Sequence, residues 1–377
     1  MTFFLNYFSF VLIFGYAFFH LILILKLKRM IKKNKTQIFV NSDFLPLSVI
    51  VASHNEEEYL ENCLRSILNN NYPKEYFEVI LVDDRSNDKT FEIVNKLQSE
   101  FLNLKYIKIE NVESGFTPKK NALNVGINNA NYNYFCLTDA DCIVENNWLQ
   151  NIANAFKNNY DAVIGYSPYL NEKNNLPKLL SNFLDYEEYK NSLYAFSGVE
   201  FKNAFLCNGR NFAYSKNIFN KVGGFDKIKN YLSGDDDLLL QLFSNQKAKI
   251  CSITDTSSFV YTYKPKSIKQ FINQRKRHFS VSGLYNLSIK LFYLGAHILN
   301  LSIIFLLIIN LNFGIGMLIV KLLIDFIFCK INSDNYNFKQ NVLLCSLNEI
   351  LLILYYFVFG MITIPLIIKN KSPINWN

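Results

Sequence analysis

Residues 77–88 read FEVILVDDRSND and residues 134–142 read YFCLTDADC. Each stretch opens as a run of β-branched and aromatic residues with almost no polar break, then stops on aspartates. An uninterrupted apolar run of this length is the pattern of a parallel strand covered on both faces. Ligands of an open parallel sheet lie beyond the carboxyl ends of its strands, so both acidic clusters are expected to face one crevice. Carboxylates gathered there repel one another. A divalent cation bridging them to a phosphorylated ligand relieves the repulsion, and hard oxygen donors select Mg2+ or Mn2+.

Outward from these runs the pattern alternates. Leu47 to Ala52 is predicted as a strand, and HNEEEYLENCLRSILNN after it as a helix with Tyr59, Leu60, Cys63, Leu64, Ile67 and Leu68 on one side. Glu56, Glu57 and Glu58 fall in its first turn, where the helix dipole favours negative charge. A helix from about Lys89 to Glu100, a strand Tyr106 to Ile109, and a helix carrying Ala122, Leu123 and Ile127 follow. Repeated βα units of this kind predict an α/β fold, a doubly wound and mostly parallel sheet with helices on both faces.

The chain has 377 residues, 50% of them hydrophobic and 16% aromatic, more apolar material than one α/β core requires. The surplus sits at the two ends. Phe3 to Leu25 carries no charge and is long enough to cross a bilayer as a helix. The basic run KLKRMIKKNK, 26–35, follows it. A cleaved signal carries its positive charge ahead of the apolar core, so this is read as a retained anchor with its basic side in the cytoplasm. Phe292–Asn310, Phe313–Cys329 and Ile350–Ile368 are three further apolar segments. The middle one holds Lys321 and Asp325 four residues apart, either paired inside a bundle or lying in the interface. Three spans would put the basic KNK at 369–371 outside and two would return it to the cytoplasm, so the count stays open at two or three.

The net charge of +8 lies largely beside the first span and in 264–277, which suits membrane lipids and a phosphorylated ligand. No nucleic-acid reading motif accompanies it, so nucleic acid is excluded as a partner. Seven scattered cysteines without a CxxC pair read as reduced thiols, and the four histidines share no metal-ligand spacing.

Seven pieces, in order, carry a resemblance: SVIVASHNEEEYLENCLRSIL, VDDRSND, PKKNALNVGI, TDADC, GRNFAYSK, SGDDDLLLQL and QRKRH. Over residues 46 to 280 the chain resembles the membrane-anchored, synthase-like family-two glycosyltransferases with a Rossmann-like GT-A fold. The resemblance implies four regions: an anchor at 1–30, a cytoplasmic GT-A catalytic domain at 46–263, an interfacial basic segment at 264–285 and a transmembrane region at 290–370. It implies a nucleotide-diphosphate sugar as donor, a UDP-sugar being commonest in such relatives, and a lipid-linked or glycan acceptor.

Asp83 and Asp84 match the family's nucleotide-binding pair, for which an ionised carboxylate is the natural acceptor. Asp88 can equally cap the next helix. Lys119 matches a lysine that approaches the diphosphate, although Pro118 replaces the usual glycine. Asp139 and Asp141 match the metal-binding DxD. Asp235 and Asp236 replace a Glu-Asp pair whose second member is the catalytic base, so Asp236 is assigned that role with Asp235 as rival and Asp237 as a third candidate. Gln274, Arg275 and Arg277 match a Q-x-x-R-W element that reaches the diphosphate, and His278 stands where the Trp stacks on acceptor sugar. Asn208 and Arg210 match a segment beside the acceptor. The function implied is inverting, metal-dependent sugar transfer at the cytoplasmic membrane face. A processive polysaccharide synthase of the chitin or hyaluronan type would make long products, and an inactive glycosyltransferase-like scaffold would make none.

Overall fold

The computed structural model describes residues 2–35 and 44–368. In chain order its elements are α1 (Thr2–Lys35), β1 (Leu47–Ser53), α2 (Glu57–Leu68), β2 (Phe77–Asp84), α3 (Thr90–Glu100), β3 (Leu104–Ile109), α4 (Pro118–Asn128), β4 (Tyr134–Asp139), β5 (Cys142–Val144), α5 (Trp148–Lys157) and β6 (Ala162–Gly165). Then come α6 (Lys178–Glu200), β7 (Phe212–Ser215), α7 (Lys216–Val222), α8 (Asp237–Asn245), β8 (Ile250–Ile253), β9 (Val260–Thr262), α9 (Ile268–Ser280), α10 (Leu287–Ile309), α11 (Leu311–Asn332) and α12 (Val342–Ile368). A seven-stranded sheet has the order β3-β2-β1-β4-β7-β6-β8, and β5 pairs with β9 in a separate ribbon. All pairings in the large sheet are parallel except those of β7, which runs antiparallel to both β4 and β6. This is the mostly parallel GT-A arrangement, with one reversed strand.

Every residue of β1 and β2 is buried, which is why neither strand alternates in sequence. Their register sets Ser53 beside Asp83 on one side of β1 and Ala52 beside Asp139 on the other. Both acidic clusters therefore lie at the carboxyl ends of β2 and β4, the two parallel strands that flank β1. On one face α2 buries Leu60, Cys63, Leu64, Ile67 and Leu68, while Tyr59 stays partly exposed and packs on Tyr263, ring centroids 4.3 Å apart. On the other face α4 presses close to β1 and β2 through Gly126. A Cβ there would meet Ile50 Cγ2 at 2.5 Å and Val82 Cγ2 at 3.2 Å, so only glycine permits this approach.

Among the described residues, four helices are long and apolar enough to cross a membrane: α1, α10, α11 and α12. The basic run 26–35 continues α1 instead of ending it. Lys321 and Asp325 do pair, at 2.7 Å, inside the bundle. Helix α12 starts at Val342, eight residues before the apolar segment predicted from sequence, because Glu349 is buried against cations. The basic KNK at 369–371 lies outside the described residues. All seven cysteines are free thiols.

Candidate active site

Beyond the strand ends two cavities meet. An inner lobe of about 220 Å³ and an outer lobe of about 390 Å³ share Lys119, Asp139, Asp141, Tyr263, Gln274 and Arg277 as walls. Asp235, Asp236, Asp237, Asn208, Arg210 and Arg275 line the inner lobe, and Glu56, Tyr59 and Lys266 the outer one.

Asp139 ends β4, and Asp141 follows in the turn into β5. One ligand atom from each of Asp139, Asp141 and Cys142 lies within 4.8 Å of the other two. Burial, with the charges of Asp141 and Asp139, keeps the Cys142 thiol protonated, and it donates to Asp141 Oδ1 at 3.5 Å. The two carboxylates are thus the donors a hard cation would use, and they fit Mg2+ or Mn2+ better than a thiolate-seeking metal. Burial and the neighbouring Asp139 push the Asp141 carboxyl above its ordinary range, the sign of negative charge in excess.

Lys119, one residue into α4, supplies the nearest cation. Its Nζ reaches Asp139 Oδ1 at 2.8 Å and Asp235 Oδ2 at 3.2 Å, joining two acidic clusters nearly a hundred residues apart. Burial opposes ionisation of Asp235, yet Lys119, Lys120 and Arg277 hold its carboxyl below the usual range. Asp236 is the N-cap of α8: Oδ1 accepts from Asp237 N at 2.7 Å and Oδ2 from Gly209 N at 3.1 Å. Burial and Asp235 push the Asp236 carboxyl up. Asp237 has both carboxylate oxygens engaged, Oδ1 accepting from Leu238 N and Oδ2 from the Tyr285 hydroxyl.

Lys120 was not singled out by sequence reasoning, and it is fully buried. Its Nζ donates to the carbonyls of Tyr231 and Ser233, while Thr117 N donates to Lys229 O at 2.8 Å. The start of α4 thereby holds the loop that leads into the aspartate run.

Asp83 and Asp84 are placed differently from the crevice residues. Asp83 Oδ1 accepts from Ser86 N at 2.9 Å and Oδ2 from the Tyr106 hydroxyl at 2.7 Å. Asp84 is wholly buried and bonds Arg85 Nε at 2.9 Å, the arginine folding back from a left-handed backbone with φ 60°. Neither carboxylate lines the two lobes. Asp88 is structural: it accepts from Thr90 N and from Glu57 N, tying α3 to the start of α2.

Gln274 and Arg277 face both lobes, on the inner side of α9. Of the two lobes Arg275 lines the inner one only, its guanidinium buried against Glu187, which also accepts from the Tyr355 hydroxyl at 3.0 Å. Asn208 and Arg210 line the inner lobe and both bind Glu188, at 2.6 and 3.0 Å. Glu187 and Glu188 lie on α6, a stretch that matched no motif. The signal was consecutive glutamates inside a helix otherwise rich in Leu, Phe and Tyr.

Glu56 faces the DxD across the outer lobe. Burial, then Asp141 and Asp139, push its carboxyl up to about 7.

The family model for glycosyl transferase family 2 matches residues 48–223. The chain is 30% identical over 204 residues to "Probable glycosyltransferase YdaM" of Bacillus subtilis, covering 52% of this chain and 46% of that protein. It is 33% identical over 135 residues to the poly-beta-1,6-N-acetyl-D-glucosamine synthase of Staphylococcus epidermidis, 35% of this chain and 31% of that one. The chain thus spans less than half the length of these relatives. In fold it is similar to the mannosyltransferase PcManGT of Pyrobaculum calidifontis, with TM-score 0.51 and 15% identity over 95% of this chain and 94% of that one. Residues 48–223 of this chain thus carry a match to glycosyl transferase family 2.

Proposed function

We propose that the protein is an inverting glycosyltransferase that moves a sugar from a nucleotide-diphosphate donor to a hydroxyl of a lipid-linked or glycan acceptor, on the cytoplasmic face of a membrane. The observation that carries this reading is the joining of Asp139, Asp141, Asp235 and Asp236 around one crevice through Lys119.

The residues divide the work. Asp236, with its carboxyl pushed up, takes the proton from the acceptor hydroxyl as that oxygen attacks the anomeric carbon. Asp235, held ionised by Lys119, is the weaker base. Lys119 and Arg277 flank the position of the departing diphosphate, Arg277 with a fork suited to phosphate oxygens. A divalent cation held by Asp139 and Asp141 would supply Lewis-acid stabilisation of the charge on that leaving group. Asp83 and Asp84 serve the nucleotide end in this reading, which requires Tyr106 or Arg85 to yield a hydrogen bond when donor binds. The names of the relatives support sugar transfer, a poly-beta-1,6-N-acetyl-D-glucosamine synthase among them. The dense lysines and arginines closing α1 support the cytoplasmic side for the crevice.

The test is to incubate membranes holding the full chain with a panel of nucleotide sugars and Mn2+, scoring free nucleoside diphosphate. Release with one donor, lost on chelation and in Asp139→Ala, is the expected result. No release with any donor would overturn the reading.

A further inference from the structure

We propose that the groove between α10 and α12 seats the hydrocarbon tail of the acceptor, a membrane amphiphile with one long chain and an anionic head, which enters sideways from the bilayer. The inference rests on the transferase reading above and gives its acceptor a class and a route. The groove has a volume of about 520 Å³. Its walls are Leu294, Leu301 and Ile304 on one face of α10 and Phe357 and Met361 on one face of α12, all well exposed although they lie within candidate membrane spans. Such side chains do not suit a passing hydrated glycan.

Continuity fixes the direction of the occupant. Asn191, Leu206, Arg275, His278 and Tyr285 line both this groove and the inner lobe of the crevice. Tyr285 stands at the junction and bonds Asp237, next to the assigned base. A molecule with its tail in the groove therefore brings its polar end to Asp236. Lys290 lies on the groove wall one turn into α10 and makes no ion pair among the described residues, so it complements an anionic head. A tail moving from bilayer to groove exchanges one apolar medium for another. The groove accordingly contributes position, and the head contributes most of the selectivity.

The test uses the full chain in phosphatidylcholine bilayer discs and a polyprenyl phosphate carrying a diazirine on its chain, with labelled residues mapped by mass spectrometry. Labelling should concentrate on the groove faces of α10 and α12. Excess unlabelled polyprenyl phosphate should suppress it about tenfold, and the same excess of phosphatidylglycerol should not. Among the described residues an added Cβ meets nothing within 4 Å at Gly360, which lines the groove, or at Gly295, which does not. Gly360→Phe should cut labelling about tenfold and Gly295→Phe should leave it intact. Label spread evenly over α1, α10, α11 and α12, equal displacement by phosphatidylglycerol, or full labelling of Gly360→Phe would each overturn the proposal. Nucleoside diphosphate release is followed on the same discs. Release without groove labelling sinks the groove alone, whereas groove labelling without release from any donor sinks the transferase reading and the acceptor assignment with it.

Discussion

Among the described residues, two clusters of buried lysine and carboxylate differ in their balance of charge. In the helical bundle Lys190 of α6 and Lys321 of α11 pair with Asp325 and Glu349, at 3.0 Å for Lys190–Asp325, 2.7 Å for Lys321–Asp325 and 3.2 Å for Lys321–Glu349. The Tyr16 and Tyr186 hydroxyls donate to the same carboxylates, and all four charged side chains are nearly inaccessible. Two cations meet two anions and the cluster is closed. At the crevice Lys119 is shared between Asp139 and Asp235, and Asp141 has no cation within ion-pair distance among the described residues. A balanced buried cluster fixes how helices dock. An unbalanced one beside a cavity is completed by something that binds.

The contrast can be broken from either side. The largest expected effect is on turnover: Asp139→Ala or Asp141→Ala should reduce sugar transfer by about a thousandfold or more, since a Lewis acid contributes several kcal/mol at about 1.4 kcal/mol per tenfold. Their thermal unfolding in detergent should show no loss of stability. Asp236→Asn should lower kcat by roughly a hundredfold to ten-thousandfold while nucleotide binding, measured by titration calorimetry, stays nearly intact. Full rate in Asp236→Asn would move the base to Asp235. Lys190→Met, in the balanced cluster, should cost about 3–5 kcal/mol because it strands buried carboxylates. It would be read as lower yield and a lower Tm of the full chain in detergent.

The smallest effect concerns pH. Glu56 has a folded pKa of about 7, above its ordinary 4.5. Its contribution to stability is therefore fully present below about 4.5 and lost as pH rises through about 7, where the carboxylate must ionise beside Asp141 and Asp139. Glu56→Gln should raise Tm above pH 7 relative to wild type and leave it unchanged near pH 4. An equal gain at both pH values would remove Glu56 from the unbalanced cluster.

Much of the scaffold was legible because strand burial leaves a mark in sequence: FEVILV and YFCLT are apolar throughout since both sides of those strands are covered. The DxD was legible because it ends such a run. The side-chain partners of Asp83 and Asp84 were not, since they depend on Tyr106 arriving from β3 and on the backbone twist at Arg85. Arg275 falls with Arg277 in the Q-x-x-R-W resemblance, and the sequence did not show that its guanidinium is taken by Glu187 of α6. Glu187, Glu188 and Lys190 escaped because no motif marks α6. Each faces a different partner: α9 and α12, the Asn208–Arg210 turn, and the buried cluster of α11 and α12.

Gly126 carries a consequence for catalysis despite being two helical turns from Lys119. Because that residue is only a hydrogen wide, α4 sits as a peg driven home against the sheet, and its leading end reaches both the DxD and the loop of the assigned base. A methyl in its place would back the peg out, and two aspartate groups now bridged by a single ammonium would drift apart without any crevice residue having been changed.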